Sequence, residues 1–187
     1  MVSRRTFVAA GIAAVPGLVG FPRWLLADTD EPGFALLDDA ATRELTFHHT
    51  HTGERLAVEY FTHGSYLPDA MSEVDRFMRD FRTGDIHSID PGVLDILHLL
   101  RRMTGGTRPY DVISGYRSPA TNRMLARLSG GVAGNSLHMQ GKAMDIRLPG
   151  VPLRRLRNAA LSLKRGGVGY YPASRFVHVD TGRVRRW

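Results

Sequence analysis

The stretch SLHMQGKAMDIRL, residues 136–148, opens as a polar loop and closes as a strand. In its second half the side chains alternate. Met144, Ile146 and Leu148 point one way, and Ala143, Asp145 and Arg147 the other. RFVHVD, residues 175–180, alternates in the same way. Val177 and Val179 enter the core, while Phe176, His178 and Asp180 share the opposite face. If these strands are neighbours, Asp145 and His178 converge, with His138 arriving from the loop. Two histidines and one carboxylate are a common ligand set for catalytic zinc, with the fourth position left to water. The spacing alone is weak, because a polar turn before a half-exposed strand looks the same.

Working outward, Glu44 to His49 and Glu54 to Phe61 read as two strands joined by a turn at Thr52-Gly53. Asp69 caps a helix that lines up Met71, Val74, Phe77, Met78 and Phe81. Asp90-Pro91 starts a second helix with its cap and N1 proline in order, and the density of Val93, Leu94, Ile96, Leu97, Leu99 and Leu100 predicts burial. Tyr110 to Ser114 is a strand, and Ser118-Pro119 opens a helix running to about Leu128. Residues 130–134 form a loop with three glycines. Ala143 to Leu148 is a strand and Pro152 to Leu163 a basic helix. Val168 to Tyr171 and Arg175 to Asp180 are the last strands. The order predicts an α+β fold with a small, mainly antiparallel sheet flanked by helices.

The 187 residues carry a formal net charge of +7, 43% hydrophobic and 23% charged residues, as in an ordinary globular domain. Arg154, Arg155, Arg157, Lys164 and Arg165 cluster, as do Arg183, Arg185 and Arg186 at the C-terminus. These read first as a solvated helix face and a charged tail, and second as a surface for a polyanion such as nucleic acid, a membrane surface or a cell-wall polymer. A nucleic-acid partner is not expected, since no aromatic stacking platform accompanies the arginines. With no cysteine there is no disulfide framework, thiolate ligand or thiol nucleophile. His48, His49, His51 and His63 crowd the first hairpin. His49 and His51 share a face, but exposed hairpin histidines are the simpler account than a second metal site.

The first 27 residues are a separate object. Arg4-Arg5 precedes an apolar stretch from Phe7 to Phe21, a charged region followed by a short hydrophobic one. Ser3-Arg4-Arg5-Thr6-Phe7 resembles the twin-arginine export signal. This predicts a signal over residues 1–27, a single domain over 28–187, a periplasmic location, and membrane contact only in transit.

Ser136, His138, Gly141, Ala143 and Asp145, followed by His178 and Asp180, together resemble a known pattern. The upstream segment SGYRSPATN, residues 114–122, belongs to it as well. The chain resembles the D-alanyl-D-alanine carboxypeptidase and murein endopeptidase class of zinc peptidases, whose fold is shared with lysostaphin and the hedgehog signalling domain. LTFHHTHTGERL and HVDTGRVRRW look like its YcbK-like murein endopeptidase branch. The resemblance implies a monomeric Zn2+ enzyme acting on peptidoglycan peptide stems, with His138, Asp145 and His178 as ligands. Arg117 would meet a substrate carboxylate or carbonyl. Ser136 would hold the loop, contact zinc-bound water or bind substrate. Carboxypeptidases of the class place a glutamate base three residues before the last histidine, where this chain has Arg175. Asp180 is then the candidate general base, or alternatively the group that holds a ligand histidine's ring. A D,D- or L,D-carboxypeptidase and a non-catalytic zinc-containing wall-binding module stay open beside the endopeptidase.

Overall fold

The computed structural model describes residues 42–129 and 133–187. The segment expected to be an export signal, and Gly130 and Gly131 of the glycine loop, lie outside them. The first hairpin pairs β1 (Thr42–His49) with β2 (Arg55–Thr62). Leu45, Phe47 and His49 alternate inward along β1, which is why this segment is a half-buried strand. A two-residue β3 (Ser65–Tyr66) extends the edge.

Helix α1 spans Pro68–Phe77. It begins one residue before the expected cap. Leu67 occupies the N-cap with no side-chain bond, Pro68 presets the first turn, and Asp69 sits inside that turn. Helix α2 (Pro91–Thr104) starts as its sequence indicates: the Asp90 carboxylate accepts the Gly92 N–H, and Gly105 closes the helix in the left-handed region. Its Val93, Leu94, Ile96, Leu97, Leu99 and Leu100 are all buried. Each leucine removed from water contributes about 1.5–3 kcal/mol.

The remaining elements are β4 (Tyr110–Ser114), α3 (Pro119–Ser129), a 3-10 turn (Leu137–Gln140), β5 (Ala143–Arg147), α4 (Leu153–Leu163), β6 (Gly167–Tyr171), β7 (Phe176–Asp180) and β8 (Arg185–Arg186). The strands form one sheet in the order β3-β2-β1-β4-β5-β7-β6-β8. This corrects the expectation of a small sheet, while five of the seven strand pairings among the described residues are antiparallel as expected. The sheet is eight-stranded and mixed, with parallel pairing at β1/β4 and β6/β8. The β1-to-β4 connection passes through β2, β3, α1 and α2, the long crossover a parallel pair requires. Side-chain alternation gives each strand its two faces but not its neighbour.

Met144, Ile146, Val177 and Val179 join the leucines of α2 in one core. The polar rows of β5 and β7 lie on the opposite face. Asp145 stands directly opposite His178 in the antiparallel register. A bulge between Val112 and Ser114 in β4 brings Ser114 opposite Asp145 from the other side.

Candidate functional site

His138 reaches the sheet from the 3-10 turn, and Gly141 makes that turn possible. Gly141 has φ +65° and donates its N–H to the His138 carbonyl, while its own carbonyl accepts the Asp90 N–H at 2.9 Å. A Cβ there would run into the Ser88 carbonyl oxygen. Gly141→Ala therefore meets two penalties, a left-handed backbone worth about 1–2 kcal/mol and a clash with main chain. The variant is expected to melt earlier than wild type and to bind metal more weakly; an unchanged melting temperature would remove this role from Gly141.

The turn delivers the His138 ring to a buried triangle. His138 Nε2 lies 3.2 Å from His178 Nδ1 and 3.3 Å from Asp145 Oδ1, and His178 Nδ1 lies 2.9 Å from the same oxygen. A tetrahedral zinc with bonds of about 2.0–2.1 Å holds its ligand atoms about 3.3 Å apart. The three atoms thus form one face of such a tetrahedron. They are the group among the described residues that could hold a metal ion. The donors suit the borderline-soft zinc ion.

Each of the three is held from behind. His138 Nδ1–H donates to the Gly115 carbonyl at 2.7 Å, which leaves the Nε2 lone pair facing the triangle. Asp145 Oδ2 accepts from Arg117 Nη2 at 3.3 Å. His178 turns Nε2 away from the triangle, 3.0 Å from Asp180 Oδ2. Asp180 is fully buried and also accepts from the Gly167 and Gly182 N–H groups and from both terminal nitrogens of Arg185.

Burial lowers the His138 pKa. Burial alone would raise Asp145, but His138 and His178 outweigh it and hold its carboxyl well below the usual range. For His178 burial would lower the value, yet the bonds to Asp145 and Asp180 prevail and push it up to about 9. Asp180 is likewise held down, against its burial, by His178, Arg185 and the two backbone N–H groups.

The triangle opens on a cleft of about 590 Å³. Arg117 and Ser136 also line it, so all the expected site residues except Asp180 reach it. Arg117 is nine-tenths buried, and its Nε has no hydrogen-bond partner among the described residues. Its place is set by the next residue, since the Ser118 N–H donates to the buried Asp80 carboxylate. Asp145 is the one aspartate or glutamate lining the cleft among the described residues.

Tyr171 and Phe176, stacked 4.5 Å apart, form an aromatic wall with Trp187, and His51 and Arg82 stand at another part of the rim. Phe176 shares the face of His178 by alternation, but the others are not legible in the sequence as cleft residues. His51 shows why, because its ring stacks on Phe81 from beyond the end of α1, a contact no local period encodes. Buried His49 spends Nδ1 on the His51 and Thr52 N–H groups, so the hairpin histidines form no second metal cluster among the described residues. Arg175, at the position where carboxypeptidases of the class carry a glutamate base, sits with φ +57° in the turn before β7, exposed and outside the cleft lining.

A family model described as peptidoglycan L,D-endopeptidase MepK matches residues 38–187. The peptidoglycan L,D-endopeptidase MepK of Escherichia coli (strain K12) is 46% identical over 156 residues, covering 83% of this chain and 86% of that protein. The probable peptidoglycan L,D-endopeptidase MepK of Haemophilus influenzae is 40% identical over 181 residues, covering 96% and 90%. Among solved structures, the Serratia marcescens L-Ala D-Glu endopeptidase ChiX overlaps 51% of this chain and 69% of its own, at 21% identity and a TM-score of 0.35.

Proposed function

The chain belongs to the peptidoglycan L,D-endopeptidase MepK family, and from that we infer that it is a peptidoglycan endopeptidase using zinc to hydrolyse L,D bonds in peptide cross-links. The observation that carries the zinc reading is the His138, Asp145 and His178 triangle, with edges of 2.9–3.3 Å. When bound, zinc supplies Lewis-acid polarisation of a carbonyl and a lowered pKa for water.

The chain's own residues do the rest. Gly115, Arg117 and Asp180 each fix one ligand group, so the donor atoms are set before metal arrives. Arg117 offers its remaining N–H groups to a substrate carbonyl or carboxylate in the cleft. Tyr171, Phe176 and Trp187 pack the stem and exclude water. Ser136 contributes to the rim beside His138. Of the two roles open to Asp180, we favour holding the His178 ring. Its oxygens face Nε2, Arg185 and backbone, on the far side of the ring from the metal-facing Nδ1. Export through the twin-arginine signal would place the enzyme in the periplasm, with its substrate.

Because metal must displace a proton from His178, its affinity depends on pH. The group is protonated below about 9 in the metal-free protein, whereas Asp145 is already ionised and His138 already neutral. Apparent zinc affinity is expected to rise about tenfold per pH unit from 7 to 9 and then level off. Chelator competition across that range checks this, and a flat profile would contradict it.

To test the bond, purified protein is incubated with two defined cross-linked dimers, one joined through an L,D bond and one through a D,D bond. Mass analysis should show the first split at its cross-link and the second intact. Removal of a terminal residue alone would instead indicate a carboxypeptidase.

A further inference from the structure

We propose that the protein holds polymeric peptidoglycan in a second, cationic and aromatic groove adjoining the cleft, which binds carboxylate-bearing stems beyond the bond being cut. The proposal rests on the endopeptidase reading.

The groove has about the volume of the cleft itself, 590 Å³, and is lined by Arg157 of α4, Tyr170, Pro172, Arg186 and Trp187. Trp187 also lines the metal-facing cleft, so the two cavities share a wall. A smaller hollow of about 340 Å³ shares Tyr170 and Pro172 and adds Arg147 and Arg175. Among the described residues no aspartate or glutamate lines either of these outer cavities.

The walls are built rather than incidental. The Trp187 indole donates to the Tyr171 hydroxyl at 2.7 Å, and its ring lies against Gly169, where a Cβ would come within 2.7 Å of it. The Arg157 guanidinium stands 4.8 Å over the Tyr170 ring, while Asn158 Oδ1 accepts from its Nε and Nη2 and fixes its plane. Guanidinium groups on aromatic platforms pair with carboxylates, and aromatic rings take the apolar faces of sugars and stems. The clustered arginines of the outer cavities also concentrate an anionic polymer near the cleft.

The test is co-sedimentation of the full chain with purified sacculi, read beside hydrolysis of a soluble cross-linked dimer too short to reach the groove. Arg157→Ser with Arg186→Ser is expected to raise the half-saturating sacculus concentration about tenfold, the size of losing a charge-assisted bond. Dimer hydrolysis should stay at the wild-type rate. Unchanged sedimentation would overturn the proposal, as would equal losses on sacculi and dimer. So would displacement of sacculi by duplex DNA as effective as displacement by free stem peptide, which would make the groove a general polyanion surface. A wild type that sediments but cuts neither substrate would refute the endopeptidase reading and leave the groove standing.

Discussion

Replacing His178 with alanine is expected to take bound zinc from one ion per chain to none and to lower cross-link hydrolysis by about 10³-fold. The magnitude follows from losing several kcal/mol of Lewis-acid stabilisation. His178 contributes the Nδ1 corner of the triangle, and no other nitrogen of the described cleft stands in its place. Its loss also leaves Asp145 with only His138 and Arg117 as partners. Circular dichroism and a melting curve, measured beside metal content, separate lost chemistry from lost fold. A variant that keeps full zinc and full activity would show that the metal is bound elsewhere.

The second large effect is at Asp180. This buried carboxylate gathers His178 Nε2, two Arg185 nitrogens and two backbone N–H groups. Asp180→Ala leaves the buried His178 ring, the part-exposed Arg185 guanidinium and two backbone donors unanswered, which destabilises by about 3–5 kcal/mol. For a chain of this size that lowers the melting temperature by about 6–20 °C, at about 2–4 °C per kcal/mol. Asp180→Asn keeps the volume and decides between the two roles. A ring-holding Asp180 predicts zinc affinity reduced about 10–100-fold. A general base predicts normal zinc affinity with turnover alone abolished.

Much of this site could be read from alternation. Val177 and Val179 mark the buried row of β7, so His178 and Asp180 had to share the other face, and the same logic puts Asp145 opposite Met144. What alternation cannot supply is the ring orientation of His178. The same strand face accommodates either nitrogen toward the metal, and only the Asp180 contact at 3.0 Å resolves it. That orientation sets Asp180 against Nε2, while Nδ1 faces the triangle. The sheet's size was hidden for a different reason. β3 and β8 have two residues each, too short for any period, and the parallel β1/β4 and β6/β8 pairings join segments far apart or separated by another strand. The Asp90 cap of α2 was legible because its residues carry the signal locally. The start of α1 was missed because Asp69 competed with Pro68, and the proline's preset φ prevailed.

Zinc-dependent cleavage of cross-links is tested by digesting purified peptidoglycan with wild-type protein before and after chelation, then restoring zinc. Cross-linked dimers should disappear with untreated protein, persist after chelation, and disappear again with one zinc per chain. Persistence of every cross-link despite one tightly bound zinc would contradict it, and would make the chain a wall-binding module in which His138, Asp145 and His178 hold a structural metal.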